Sequence, residues 1–156
     1  MTDGRNPVFR TAGEVSLIGM MCIYDSQQEA SEGIPQQWCS LLMSHPSLKG
    51  SSNLYGASPC TNDRKIHYLA GVAQGSSETV VDGEHLSLAA GEYAVVQISD
   101  PASLRDTWTW LLGTWLVSSG RLENNTPEFE RYTHISEAGT PIGPVEIWIP
   151  LQPRSY

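Results

Sequence analysis

Basic side chains are scarce in this sequence. Lysine and arginine together number 9 against 17 aspartates and glutamates, which gives a formal net charge of −8 at pH 7, and no basic cluster stands along the chain. Because nucleic-acid affinity depends on neutralising phosphates with lysine and arginine, direct binding of DNA or RNA by this chain is not expected. The surplus of carboxylates instead favours ligands that carry positive charge.

Cysteine is also rare, and Cys22, Cys39 and Cys60 are widely spaced. An odd number without a CxxC pair indicates reduced cysteines and neither a disulfide framework nor a zinc site. We therefore expect no metal and no cofactor. The sequence also has no signal-peptide pattern and no apolar run near the ~20 residues of a membrane span, so we expect a cytoplasmic location without membrane insertion.

The chain length of 156 residues predicts a single domain, 1–156. In the first half, apolar runs predict strands at 15–23, 54–57 and 66–73. Between the first two, helical spacing of apolar residues predicts a helix over 34–43, with Pro35 in its first turn.

The second half repeats this order. Extended chain is predicted at 86–88 and 92–98, and Ser99-Asp100-Pro101 is a helix-start signal. The helix that follows carries an apolar stripe interpreted as core, with Trp108 among its members, and ends near 118–120. A hairpin over 129–134 and 145–151 completes the unit.

Strand, helix, strand, strand therefore occurs twice, with pseudo-repeats at about 12–73 and 84–151 and a polar connector at 74–84. This pattern predicts an α+β fold of two duplicated units, with an antiparallel curved sheet, the helices on one side and a ligand cleft between the halves.

The last strand contains one carboxylate in an apolar run. Alternation along a strand places Val145, Ile147 and Ile149 on one face and Glu146 with Trp148 on the other. A carboxylate beside an indole suits a cation-binding pocket, provided that it is not ordinary core, because an unpaired buried charge costs several kcal/mol. The alternative is that Glu146 points to solvent or pairs with an internal arginine or tyrosine. The neighbouring Glu130 and Arg131 are interpreted as an exposed cross-strand pair.

Six short segments resemble the GyrI-like, AraC-type effector-binding domains, the small-molecule sensor module of multidrug-responsive transcription regulators. They are IPQQW at 34–38, HYLAGV at 67–72, AAGEYAVV at 89–96, WLVSSG at 115–120, PEFERY at 127–132 and PVEIWIPL at 144–151. The resemblance implies a pocket between the two halves, lined by aromatic side chains, with an acidic residue on the last strand that neutralises lipophilic cations. Glu146 matches that acidic position, and the ligand-binding aromatic residues would be Tyr55, Tyr68, Tyr93, Trp110 and Trp148, with Trp38 and Phe129 behind them.

The function expected on this basis is non-catalytic capture of a lipophilic cationic small molecule, as a sensor or partner in transcription regulation. The regulators that this chain resembles carry a DNA-binding segment, which is not expected here, so a separate DNA-binding or basic protein partner is the corresponding expectation. Two alternatives stay open. One is a hydrolase of strained-ring lipophilic compounds that uses Glu146 as its acid or base, and the other is an acidic inhibitor of a topoisomerase-like protein.

Overall fold

The computed structural model describes residues 6–49, 51, 53–75 and 83–154. The strands are β1 (Val8–Ala12), β2 (Val15–Tyr24), β3 (Leu54–Ser58), β4 (Ile66–Ala73), β5 (Glu84–Leu88), β6 (Gly91–Ile98), β7 (Glu128–Tyr132) and β8 (Val145–Pro150). They form one antiparallel sheet in the order β1-β6-β8-β7-β3-β4-β2-β5.

The sheet order has internal symmetry. The first half contributes the sequence β3-β4-β2 and the second half β7-β8-β6, and the two halves join where β3 pairs with β7. Each half is flanked by a strand from the other half of the chain: β1 pairs with β6, and β5 pairs with β2. The predicted fold class is therefore confirmed. The predicted connector at 74–84 lies mostly outside the described residues.

Helix α1 (Gln27–Ser44) begins seven positions before the predicted start. A variant of the capping box explains this start: the Ser26 hydroxyl accepts from the Glu29 backbone N–H at 3.1 Å, and the Glu29 carboxylate accepts from the backbone N–H of Asp25, one residue before the cap, at 3.0 Å. Pro35 consequently lies inside the helix and not in its first turn. The sequence signal was present in Ser-Gln-Gln-Glu at 26–29.

The second helical segment changes its winding along its length. A 3₁₀ turn (Pro101–Ser103) leads into α2 (Leu104–Trp110), a π-helical turn (Leu111–Trp115) and α3 (Leu116–Ser119), which ends at Gly120 with φ of 74°. Asp100 caps the start by accepting from the Ala102 backbone N–H at 3.0 Å. No helix in the described ranges is long and apolar enough to cross a membrane.

The two faces of the sheet carry separate apolar clusters. On one face, strand residues such as Ile147 and Ile149 pack with α1, through Trp38 and Leu41, and with Leu111 from the second helical segment. On the other face, side chains from β2 to β8 meet in a second cluster that contains Tyr55, Tyr93, Phe129 and Trp148. These four side chains lie on successive neighbouring strands, which places them in contact across one face of the twisted sheet.

Candidate functional site

A cavity of about 730 Å³ lies between the helices and the sheet at the seam of the two halves. The first half supplies α1, β3 and β4, and the second half supplies α2 and β7. Its lining includes Trp38, Gly56, Tyr68, Trp108, Glu128, Glu130 and Tyr132. A volume of this size matches the clefts that hold drug-sized molecules.

Glu130 lies on the cavity wall with both carboxylate oxygens hydrogen-bonded. Trp108 donates its indole N–H to Oε2 at 2.5 Å, and Tyr132 donates its hydroxyl to Oε1. Both donors are neutral, and within the described residues no lysine, arginine or histidine forms an ion pair with this carboxylate. A carboxylate has about four acceptor positions, so these two bonds leave acceptor capacity unused, and an ionised Glu130 would have no counter-charge among the described residues.

The hydrogen bonds continue from Glu130 across the sheet. The Trp38 indole N–H donates to the Tyr68 hydroxyl at 3.0 Å, and the Tyr68 and Tyr132 hydroxyls lie 3.0 Å apart. Because Trp38 is only a donor and Tyr132 donates to Glu130, the consistent order is Trp38 to Tyr68 to Tyr132 to Glu130. The chain thus points every donor toward the carboxylate and crosses from the first half to the second.

Gly56 makes room for this network. It pairs with Glu130 in the neighbouring strand, and a Cβ added to Gly56 would lie 2.0 Å from the Tyr68 hydroxyl oxygen and 3.0 Å from that of Tyr132. Any larger residue would therefore displace the tyrosines from the Glu130 side of the cavity.

Burial is the main cause of the raised pKa values of the two glutamates in this cavity. It raises the pKa of Glu130, and the hydrogen bonds from Tyr132 and Trp108 oppose that rise only in part. Burial also raises the pKa of Glu128 to about 8, with further contributions from Glu123, which shares a hydrogen bond with it, and from the charge of Glu130. Two carboxyl groups two residues apart on β7 thus line one cavity, and both hold their protons more tightly than in water.

The predicted ligand-binding residues divide between this cavity and the opposite face of the sheet. Trp38 and Tyr68 line the cavity, and Phe129 borders it. Trp110 packs against the core beside the helices without lining the cavity. The remaining four, which lie on the opposite face or project from it, are Glu146, Trp148, Tyr55 and Tyr93.

Three of those four residues belong to a closed aromatic cluster with Phe129. Phe129 and Trp148 stack with ring centroids 5.3 Å apart, and Tyr93 meets both rings edge-on at 5.5 Å. Tyr55 contacts Phe129 at 5.8 Å. Trp148 keeps 9 % of its surface exposed and Tyr93 only 2 %, so the rings cover one another in this structure.

Glu146 already has a cationic neighbour. Its Oε1 lies 3.4 Å from Arg131 Nη1 and accepts the Trp148 indole N–H at 3.1 Å. Arg131 is held in place by Asn53 at 2.9 Å and lies over the Tyr55 ring. The interpretation of Glu130 and Arg131 as a pair is therefore wrong, because neighbours in a strand point to opposite faces: Arg131 pairs with Glu146, and Glu130 faces the helices.

Sequence reasoning missed Glu128, Glu130 and Tyr132, and assigned Trp108 to the core stripe. The signal was the strand PEFERY, in which two glutamates and a tyrosine alternate with Phe129 and Arg131. A face with two carboxylates opposite a face with a phenylalanine is equally typical of a strand with one solvent-exposed face. It indicates a lined cavity once the helices are known to cover that face.

Comparison with known proteins places the chain by family and by fold. The model of the Cass2 family, described as integron-associated effector-binding proteins, matches residues 11–151. No curated protein sequence matches. Within the described ranges, no group of three or more His, Cys, Asp or Glu could hold a metal ion.

Three solved structures share the fold over nearly their whole length. SAV2435 bound to tetraphenylphosphonium is 17% identical with a TM-score of 0.73, and the match covers 94% of each chain. A putative transcription regulation protein from Staphylococcus aureus MU50 is 16% identical with a TM-score of 0.70, covering 96% of this chain and 100% of that one. An integron cassette protein from the mobile metagenome of Vibrio cholerae is 17% identical with a TM-score of 0.69, covering 96% and 97%.

Proposed function

Because the chain belongs to the Cass2 family of integron-associated effector-binding proteins, we propose that it binds lipophilic organic cations in the cavity beside Glu130, without converting them chemically. The family match also confirms the predicted resemblance to GyrI-like effector-binding domains. A single observation carries the proposal: the Glu130 carboxylate lies among aromatic side chains with two neutral donors and, in the described chain, no cationic partner.

The balance of charge and apolar surface supports this ligand class. An ionised carboxylate in a partly dry cavity is unfavourable until a counter-charge arrives, and a diffuse organic cation loses little hydration on entry. The rings of Trp38, Tyr68 and Trp108 add apolar contact area, and cation–π contact contributes about 0.5–2 kcal/mol per ring. The fold is also that of SAV2435, whose structure holds tetraphenylphosphonium.

The proposed role is that of a sensor. The protein would signal ligand occupancy to a separate DNA-binding partner or to a basic protein, because its own charge of −8 disfavours nucleic acid. The three cysteines are free, in keeping with a cytoplasmic location.

Two ions of the same shape and opposite charge directly test whether the cavity prefers cations. Tetraphenylphosphonium is expected to raise the melting temperature by about 5–10 °C at one hundred times its dissociation constant. Tetraphenylborate, which has the same shape and a negative charge, is expected to leave it unchanged, because it would meet the Glu130 carboxylate. Thermal shift measurements on the intact chain give both values, and equal stabilisation by the two ions would refute the charge argument.

Binding of tetraphenylphosphonium is also expected to depend on pH. The ion itself does not titrate, so any pH dependence of its binding comes from groups of the protein. Affinity should increase as the pH rises from 4.5, the ordinary value of a glutamate, because burial raises the pKa of Glu130 and its proton must leave before the cation binds. A further increase is expected as Glu128 ionises near its pKa of about 8.

Calorimetric titrations across that range give the profile, and Glu128→Gln is the matched variant. It should remove the increase that Glu128 contributes near pH 8 and keep the increase that Glu130 contributes. A flat profile in the unaltered protein would contradict the proposal that Glu130 must lose its proton before the cation binds.

A further inference from the structure

The cavity has a cationic side as well as an acidic one. Lys65 and Arg105 both line it, and both are exposed, whereas Glu130 lies on the buried side with Trp38 and Tyr68. Lys65 is paired with Asp25, with 3.4 Å between Nζ and Oδ1. In the described chain Arg105 forms no ion pair, although other arginines do.

Arg105 is nevertheless held in place. Its Nη2 donates to the Ser31 hydroxyl at 2.8 Å, which joins α2 to α1 at the edge of the cavity. A hydroxyl balances no charge, and this bond uses one of the five guanidinium N–H donors. The remaining donors form a planar fork that matches the two oxygens of a carboxylate or the oxygens of a sulfonate or phosphate.

Arg105, Trp108 and Glu130 follow one another across the cavity. Arg105 and Trp108 stand three residues apart on α2, which places their Cβ atoms about 5–6 Å apart on one helix face. The Trp108 indole then reaches Glu130 with its N–H, at 2.5 Å. The order from the exposed side inward is therefore a guanidinium, an aromatic ring and a carboxylate.

We infer that the preferred ligands of this cavity are amphoteric: flat apolar molecules with an organic cation at one end and a carboxylate or similar anion at the other. The cation would lie by Glu130, the apolar body against Trp108, and the anion on the free donors of Arg105. This inference rests on the proposed function and specifies its ligand class.

A purely structural role for Arg105 makes a different prediction. If the guanidinium only ties α2 to α1 through Ser31, its loss would disturb the cavity for every ligand equally. If it receives an anion, its loss would affect only ligands that carry one. A pair of ligands that differ in that group alone separates the two roles.

A xanthylium dye with a free benzoate and the methyl ester of the same dye form such a pair. Both carry the cation, and only the acid carries the anion at neutral pH. Fluorescence anisotropy with the whole chain would give the affinity of each dye for the unaltered protein and for Arg105→Gln and Arg105→Glu. The glutamine removes the charge and keeps an N–H donor on a shorter side chain, and the ester reports any disturbance of the contact with Ser31.

We expect Arg105→Gln to weaken binding of the acid by about three- to tenfold and to leave the ester within about twofold. Arg105→Glu should weaken the acid further and strengthen the ester, because it places a further negative charge by the cavity. Arg10→Glu is the matched control: Arg10 is exposed on β1 and away from the cavity, and the change in net charge is the same. It should change the affinity for neither dye by more than about twofold.

Equal weakening of both dyes by Arg105→Gln, or no change in either, would overturn the amphoteric assignment and leave the cation site intact. Failure of the unaltered protein to bind either dye or tetraphenylphosphonium would instead refute the proposed function itself.

Discussion

Replacing Glu130 with glutamine is expected to weaken binding of tetraphenylphosphonium at least about 30-fold, which corresponds to about 2 kcal/mol. Loss of one partner from a desolvated charge pair costs about 2–5 kcal/mol, because the other charge stays buried without compensation. Glutamine keeps the size of the side chain, so the shape of the cavity is preserved. Quenching of tryptophan fluorescence can report binding, since Trp38 and Trp108 line the cavity.

Glu146→Gln is the matched control for this result. Glu146 is also a glutamate in a strand, on β8 next to the strand β7 that contains Glu130. It faces away from the cavity and pairs with Arg131 at 3.4 Å. We expect this variant to bind the cation within about twofold of the unaltered protein. The prediction from sequence that Glu146 holds the ligand charge stays testable in the same experiment, since the reverse outcome would support Glu146 and refute Glu130.

The glutamine at 130 also has a structural consequence that must be measured separately. Only its carbonyl oxygen accepts, so either Trp108 or Tyr132 loses an acceptor, although removal of a buried charge offsets that loss. Thermal melting of Glu130→Gln without ligand shows whether the fold is kept. A folded variant that still binds the cation at full strength would contradict the proposed site.

Gly19→Ala is expected to lower the free energy of unfolding by about 2–3 kcal/mol, the largest stability effect that we predict for a single added methyl group. Gly19 on β2 is paired with Gly71 on β4, and a Cβ on Gly19 would lie 2.0 Å from the Ala70 carbonyl oxygen and 2.6 Å from the Gly71 Cα. These are backbone atoms of a central strand, so no side-chain rotation can relieve the overlap.

Gly113→Ala is the matched control, because it is the same substitution in open space. A Cβ on Gly113 has no neighbour within 4 Å, and the residue is exposed in the π-helical turn. Alanine there should stabilise the protein by up to about 1 kcal/mol through its higher helix propensity. Urea denaturation followed by tryptophan fluorescence gives both values. If the two variants had equal stability, β2 and β4 would not approach as closely as the structure shows.

Much of the fold was predictable because local patterns carry it. The apolar runs located β2, β3, β4, β6 and β8 to within a few residues, and the repeat of element order predicted two units with helices on one side. The start of α1 was also readable, from the Ser26–Glu29 capping box, but the apolar stripe alone pointed to a later position. The π-helical turn was not readable, because the side-chain spacing still resembles an α-helix.

The face of the sheet that carries the site could not be predicted in the same way. The sequence correctly placed Glu146 and Trp148 on one face of β8 and Ile147 on the other, because alternation is a local property of a strand. It gives no register between strands, and the register of β7 on β8 sets Glu130 opposite Ile147 and Arg131 opposite Glu146. That pairing neutralises the carboxylate predicted to bind the ligand.

The sequence by itself determined an acidic α+β chain of two similar units and its family resemblance, since composition and periodicity are properties of single residues and near neighbours. Only the tertiary structure decided which of two glutamates has no counter-charge among the residues that the structure describes. That outcome depends on where both helices pack and on how two strands are aligned, and those contacts join residues far apart in the chain.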